Sequence, residues 1–82
     1  MNYINVVKID IPFIKHQIDL FHQQFNVNPV LICSQHTLQS LIEYCQINRH
    51  DLYSITAEQI HTFANCRVFI DNALDYGLID IR

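Results

Sequence analysis

The apolar residues of this chain change their spacing several times, and each change marks an element. Over residues 3–11, YINVVKIDI, the first half is apolar on both faces; Val7, Ile9 and Ile11 then alternate with Lys8 and Asp10. A period of two with β-branched side chains predicts a strand, bounded by Pro12. Ile14, Ile18, Phe21 and Phe25 follow at spacings of four, three and four, with Lys15, His16, Asp19, His22 and Gln23 on the other side. This pattern predicts an amphipathic helix with Pro12 in its first turn, where the missing N–H costs nothing. Asn26 supplies a left-handed stop and Pro29 bars continuation. Residues 30–33, VLIC, are wholly apolar, as in an interior parallel strand. Ser34 is placed to cap the next helix, whose inner stripe is Leu38, Leu41, Ile42 and Cys45.

Residues 47–54 show no period. After them Thr56 and Gln59 fit a capping box, and Ile55 and Ile60 its hydrophobic staple, which predicts a short third helix through Phe63 and Ala64. CRVFID and LIDI then read as two strands joined by an acidic turn holding Gly77, the only glycine. The predicted architecture is a single domain over residues 1–82, α/β with α+β as the alternative, in the order β-α-β-α-(α)-β-β. Its sheet is mixed and four-stranded, with a first parallel pair made by a right-handed crossover and a C-terminal β-hairpin. Helices on one face or on both are equally compatible with this pattern.

Composition narrows the function classes. Half of the 82 residues are hydrophobic and 16% are charged, which fits a compact domain rather than disorder. At this length roughly 60% of the unfolded chain's surface is buried on folding. The net charge of −3 and the scatter of Lys8, Lys15, Arg49, Arg67 and Arg82 argue against nucleic acid as a partner. No apolar run of membrane-spanning length and no charged-then-apolar leader is present, so the expectation is a cytoplasmic protein without a membrane partner. Three cysteines, an odd number, point to reduced thiols rather than a disulfide framework.

Few residues offer chemistry. Cys33 falls where a strand runs into a helix, a position that lowers a thiol's pKa, but Ser34-Gln35-His36-Thr37 brings neither arginine nor glycine for an anion cradle. Cys45 is core by its spacing. The Cys/His pairs Cys33–His36, Cys45–His50 and His61–Cys66 form no paired zinc knuckles, and His16 and His22 lack an i, i+4 partner. His50-Asp51 reads as a loop, because metal phosphohydrolases need further ligands on several long helices. Asp71, Asn72 and Asp75 read as turn formers that bond their own backbone, Gly77 supplies a positive φ, and Asp80 alternates outward. No metal, cofactor or catalytic residue is expected.

The stretch NPVLICSQHTLQSLIEYC resembles a segment of tailed-phage major capsid proteins in which an apolar strand leads to a small-polar-x-Thr motif and a Leu-rich helix. ITAEQIHTFANCRVFIDNALDYGLIDIR is similar to their later helix, strand, short turn and closing strand, although Phe63-Ala64-Asn65-Cys66 stands where that family has Leu-Leu-Gly. The resemblance covers roughly the last two thirds of the chain and implies a phage or mobile-element origin. It carries no catalytic residues.

Two functions follow as expectations. The first is a small non-enzymatic interaction domain that binds a protein partner or itself, as a homodimer, through the terminal strand as a sheet edge. Tyr76, Leu78, Asp80 and Arg82 would make that contact. The second is a small ligand-binding or thiol-dependent enzymatic domain at the carboxyl ends of its parallel strands, with Cys33, Ser34 and His36 as its residues.

Overall fold

The computed structural model describes residues 2–5, 10–49 and 51–82, the first four by their backbone alone. The elements are β1 (Asn2–Asn5), α1 (Ile11–Phe25), β2 (Leu31–Cys33), α2 (Gln35–Ile47), β3 (Tyr53–Ile55), β4 (His61–Phe63), β5 (Cys66–Ile70) and β6 (Leu78–Ile81). They form one six-stranded mixed sheet in the order β1-β6-β2-β5-β4-β3. β2 and β5 run parallel; the other four neighbouring pairs are antiparallel.

Both helices form for the reasons the sequence suggests. Asp10 caps α1, its Oδ1 accepting the Phe13 N–H at 3.1 Å. The predicted first strand therefore does not reach Ile11, which is the buried first residue of α1; residues 6–9 of that strand lie outside the described residues. At the far end Asn26 adopts φ 58° and gives its N–H to the His22 carbonyl, the left-handed stop its side chain tolerates. In α2, Ser34 Oγ accepts the Thr37 N–H at 3.2 Å, and Leu38, Leu41 and Cys45 are buried with Ile42 at their flank.

The predicted helix after Thr56 is instead the hairpin β3–β4. The polar groups of the supposed capping box close a loop: Thr56 Oγ1 accepts the Ile60 N–H at 3.1 Å, and the Thr56 N–H goes to the Ile60 carbonyl at 2.9 Å. Gln59, which would have completed the box, turns left-handed at φ 65° and donates its N–H to the Thr56 carbonyl. A second reversal follows at once. Ala64 and Asn65, at φ 51° and 65°, make a two-residue turn between the paired Phe63 and Cys66. Two consecutive positive φ values are the type I′ geometry, whose twist matches that of the strands it joins. The extra hairpin raises the strand count from the expected four to six.

Two pairing expectations are also corrected. β1 and β2 are not neighbours, because β6 lies between them. The C-terminal hairpin does not form either: β2 lies between β5 and β6, with Leu31 opposite Val68 on one side and Ile81 on the other. Leu31-Ile32-Cys33 is wholly apolar and takes an interior position, where a strand gains ladder bonds on both sides. Residues 71–77 thus form a connection across the end of β2 rather than a hairpin turn.

Register assigns the two faces. Leu31, Cys33, Phe63, Cys66, Val68, Ile79 and Ile81 share one face and join Ile11, Ile14, Ile18, Leu38, Leu41 and Cys45 in a single buried cluster. Both helices therefore cover the same side. Ile32, Thr62, Arg67, Phe69 and Leu78 lie on the other, helix-free side. The result is a two-layer α/β domain.

Candidate functional site

The connection over β2 takes up the polar groups at the start of α2. The Asp71 N–H reaches the Cys33 carbonyl at 2.9 Å, and Asn72 Oδ1 accepts the Gln35 N–H at 2.9 Å. Asp71 Oδ1 holds the Ala73 N–H at 3.0 Å, the local turn expected of it, whereas Asn72 bonds across to α2 rather than to its own segment. Gly77 supplies φ 85° and directs its N–H to the buried Thr37 Oγ1 at 2.9 Å; that hydroxyl also meets Ser34 Oγ at 3.0 Å. Tyr76 leans on the His36 ring with centroids 4.6 Å apart and bonds Ser40 Oγ through its hydroxyl at 2.8 Å. The Gln35 and Thr37 N–H groups, which a helix start would offer to an anion, are already used. This segment is a clasp.

The thiol-dependent arrangement does not assemble. Cys33 is 1% exposed and faces the core, while His36 is exposed against Tyr76, so the structure does not bring the two together. Burial pushes the Cys33 thiol up to about 11, the reverse of the lowering expected at a helix start. Cys66 is likewise pushed up to about 11, by burial first and by the nearby Asp19 carboxylate second, and Cys45 moves in the same direction by burial. All three are free and buried.

Native protein at pH 8 should therefore leave Cys33 and Cys66 unmodified by a disulfide-exchange reagent and release thiol colour only on unfolding; rapid native labelling of Cys33 would contradict the burial. The same burial fixes a pH window. Unfolded thiols ionise near 9.0 and the folded ones near 11, so stability is fully retained below pH 9 and declines as the pH rises from 9 to 11. A tenfold change in an ionisation constant is worth about 1.4 kcal/mol, so each thiol contributes on the order of 2–3 kcal/mol to that loss.

The four residues expected at a partner-binding edge are placed very differently. β6 is an interior strand, with β1 on one side and β2 on the other, so it has no open edge. Asp80 lies on the helix-free face as its alternation requires, but it is 1% exposed rather than outward. Arg82 covers it, Nε bonding Asp80 Oδ2 at 2.7 Å, while Asp80 Oδ1 is buried with no hydrogen-bond partner among the described residues. Leu78 is half-buried beside Asn5. Tyr76 is half exposed but held in the clasp. The structure brings Asp80 and Arg82 together and leaves Tyr76 apart from them.

The described edge with side chains in view is β3. Ladder bonds alternate along an antiparallel pair, so their phase can be read from the ends. The Thr56 N–H bonds Ile60 and the Ala64 N–H bonds the Leu52 carbonyl. Ser54 therefore turns its backbone groups toward Thr62, and Tyr53 and Ile55 turn theirs outward to the open side. Ile55, on the helix side of the sheet, is 50% exposed. Beside it His61 is fixed by the Tyr53 hydroxyl, 2.6 Å from Nδ1, with the two rings stacked. Burial raises the Tyr53 pKa. Next comes a groove of about 360 Å³ between α2 and the ends of β4 and β5, lined by Leu38, Ile42 and Ile70 with Gln35, Gln39 and His61. The groove opens beside the carboxyl ends of the parallel pair β2–β5, where open sheets commonly hold ligands. The misread helix at Thr56 hid this edge from the sequence. The signal that could have revealed it is the alternation of His61, Phe63, Cys66 and Val68 around Ala64-Asn65.

A second cleft, about 570 Å³, runs along α1 beside Ile11 and Leu52, with Lys15, His16, Asp19, Arg49 and Asp51 around it. Charges of both signs surround it, and the described residues contain no group of three side chains able to hold a metal ion. No helix among the described residues is long and apolar enough to cross a membrane. No protein-family model matches this chain, and no curated protein or solved structure matches it either.

Proposed function

We propose that the chain is a non-enzymatic protein-interaction domain that takes an extended segment, from a protein partner or from a second copy of itself, alongside β3. The observation that carries this reading is the pair of outward-facing backbone groups at Tyr53 and Ile55 on an edge that also exposes Ile55. Among the described residues no strand bonds these N–H and C=O groups, and an added strand supplies partners for both. The apolar groove next to the edge offers side-chain selectivity, which backbone pairing alone lacks. Burial of all three thiols weighs against a thiol enzyme. A phage or mobile-element origin belongs to the same proposal and rests on the capsid-like stretches of the sequence. A cytoplasmic setting is in keeping with three free cysteines.

Selection of random nine-residue peptides on the intact chain tests it. Binders should slow amide exchange at Tyr53 and Ile55. Ile55→Pro, which removes an outward N–H and no ladder bond, should weaken them at least about tenfold while the fold is retained. Binders that leave both amides exchanging as before, or that bind the proline variant equally well, would contradict the reading.

A further inference from the structure

The charge around β3 narrows what can lie there. α2, β3, the 56–60 loop and β4 together contain no lysine or arginine. They contribute Glu43 and Glu58, both exposed; Asp51, two residues before β3, lines the α1 cleft together with Arg49. Glu43 lies one turn from the groove-lining Gln39 and bonds it, Gln39 Nε2 to Glu43 Oε1 at 3.3 Å. Glu58 sits in the loop that joins β3 to β4. The nearby cations serve other surfaces: Arg49 lines the α1 cleft, and Arg67 lies on the opposite face of the sheet.

We infer that the edge and groove take a basic extended segment of a different protein, with one aliphatic side chain seated against Leu38, Ile42 and Ile70 and with Lys or Arg flanking it. This rests on the proposed strand addition at β3 and adds the identity of the occupant. Complementary charge favours the partner and speeds encounter, whereas like charge placed face to face is costly. A second copy fits poorly for that reason. Two β3 edges meeting about a two-fold axis bring Glu58 of each chain to the same edge, with no cation from α2, β3 or β4 to offset it. His61 stands between edge and groove with Nδ1 held by Tyr53.

The peptides selected on the intact chain carry the test. They should be rich in Lys and Arg around an aliphatic residue and lose affinity steeply between low and high salt. The double variant Glu43→Lys/Glu58→Lys should weaken them about tenfold, and Ile70→Gln, which makes the groove wall polar, by a similar factor. The chain alone should sediment as a monomer. Neutral or acidic peptides, affinity unchanged in the charge-reversed variant, or a dimer that Ile55→Pro dissociates would overturn the basic-partner inference. Peptides still lost with Ile55→Pro would leave strand addition standing in that event. Binding indifferent to Ile55→Pro, or no enrichment at all, would overturn both. Should a variant fail to fold, protection of the Tyr53 and Ile55 amides by the selected basic peptide decides the matter on the unaltered chain.

Discussion

Phe63→Ala should remove about 3–5 kcal/mol of stability, the largest loss expected from any single truncation in this domain. Phe63 has no exposed surface and is the largest fully buried side chain among the described residues. It closes β4, pairs with Tyr53 on one side and Cys66 on the other, and faces the common core of sheet and helices. Truncation loses the transfer energy of the ring and leaves a cavity that a close-packed interior only partly fills. Domains of this size hold about 4–12 kcal/mol in all, so this single truncation removes a large share of the stability. Phe63→Leu, which keeps most of the volume, should cost only about 1–2 kcal/mol. Urea denaturation of the three proteins measures the difference. Equal, small losses for both variants would show that Phe63 is not in the core and that the hairpin is misplaced.

Thr37→Val should cost about 2–3 kcal/mol although it conserves shape. The hydroxyl it removes is fully buried and serves two partners, the Gly77 N–H and Ser34 Oγ. Valine leaves the buried Gly77 N–H without its acceptor and removes one of the two hydrogen bonds of Ser34 Oγ, which keeps the Thr37 N–H; a buried group left unsatisfied costs about 1–3 kcal/mol. The loss should be concentrated in the clasp, so Tyr76 should also leave His36 and Ser40. Thr37→Ser preserves both bonds and should retain most of the stability. A valine variant as stable as the serine variant would show that the connection over β2 does not depend on this hydroxyl.

Much of the first half of the fold was legible because its signals are local. Spacing in α1 and α2, the Ser34 cap and the left-handed Asn26 each depend on residues within one or two turns. The second half misled because one local signal has two structural outcomes. As a cap, Thr56 would accept the N–H of Gln59 three residues on; the same hydroxyl instead accepts the Ile60 N–H and closes a loop between strands. Ala64-Asn65 hid the tight turn, since that geometry usually advertises itself with Asn-Gly. Strand order was invisible for a different reason. The acidic segment before Gly77 reads as a hairpin turn whether its strands pair with each other or with β2 between them. Its polar groups find partners either way, and only the long-range bonds of Asn72 and Gly77 to α2 decide between the two. Asp80 follows the same logic, because alternation gives its face but not the cover that Arg82 provides. The open edge was therefore sought on β6, whereas β6 is interior and β3 lies at an edge of the sheet.

That relocation is most directly tested by native-state hydrogen exchange of the unbound chain, resolved by residue. Asp80 and Ile81 have neighbouring strands on both sides, at Tyr3 and Ile32 and at Asn2 and Leu31, and their amides should exchange only through global unfolding. Ser54, bonded to Thr62, should be slower than Tyr53 and Ile55, whose amides face the open side of β3. Fast exchange at Asp80 and Ile81 together with protection at Tyr53 and Ile55 would return the open edge to β6 and contradict the account.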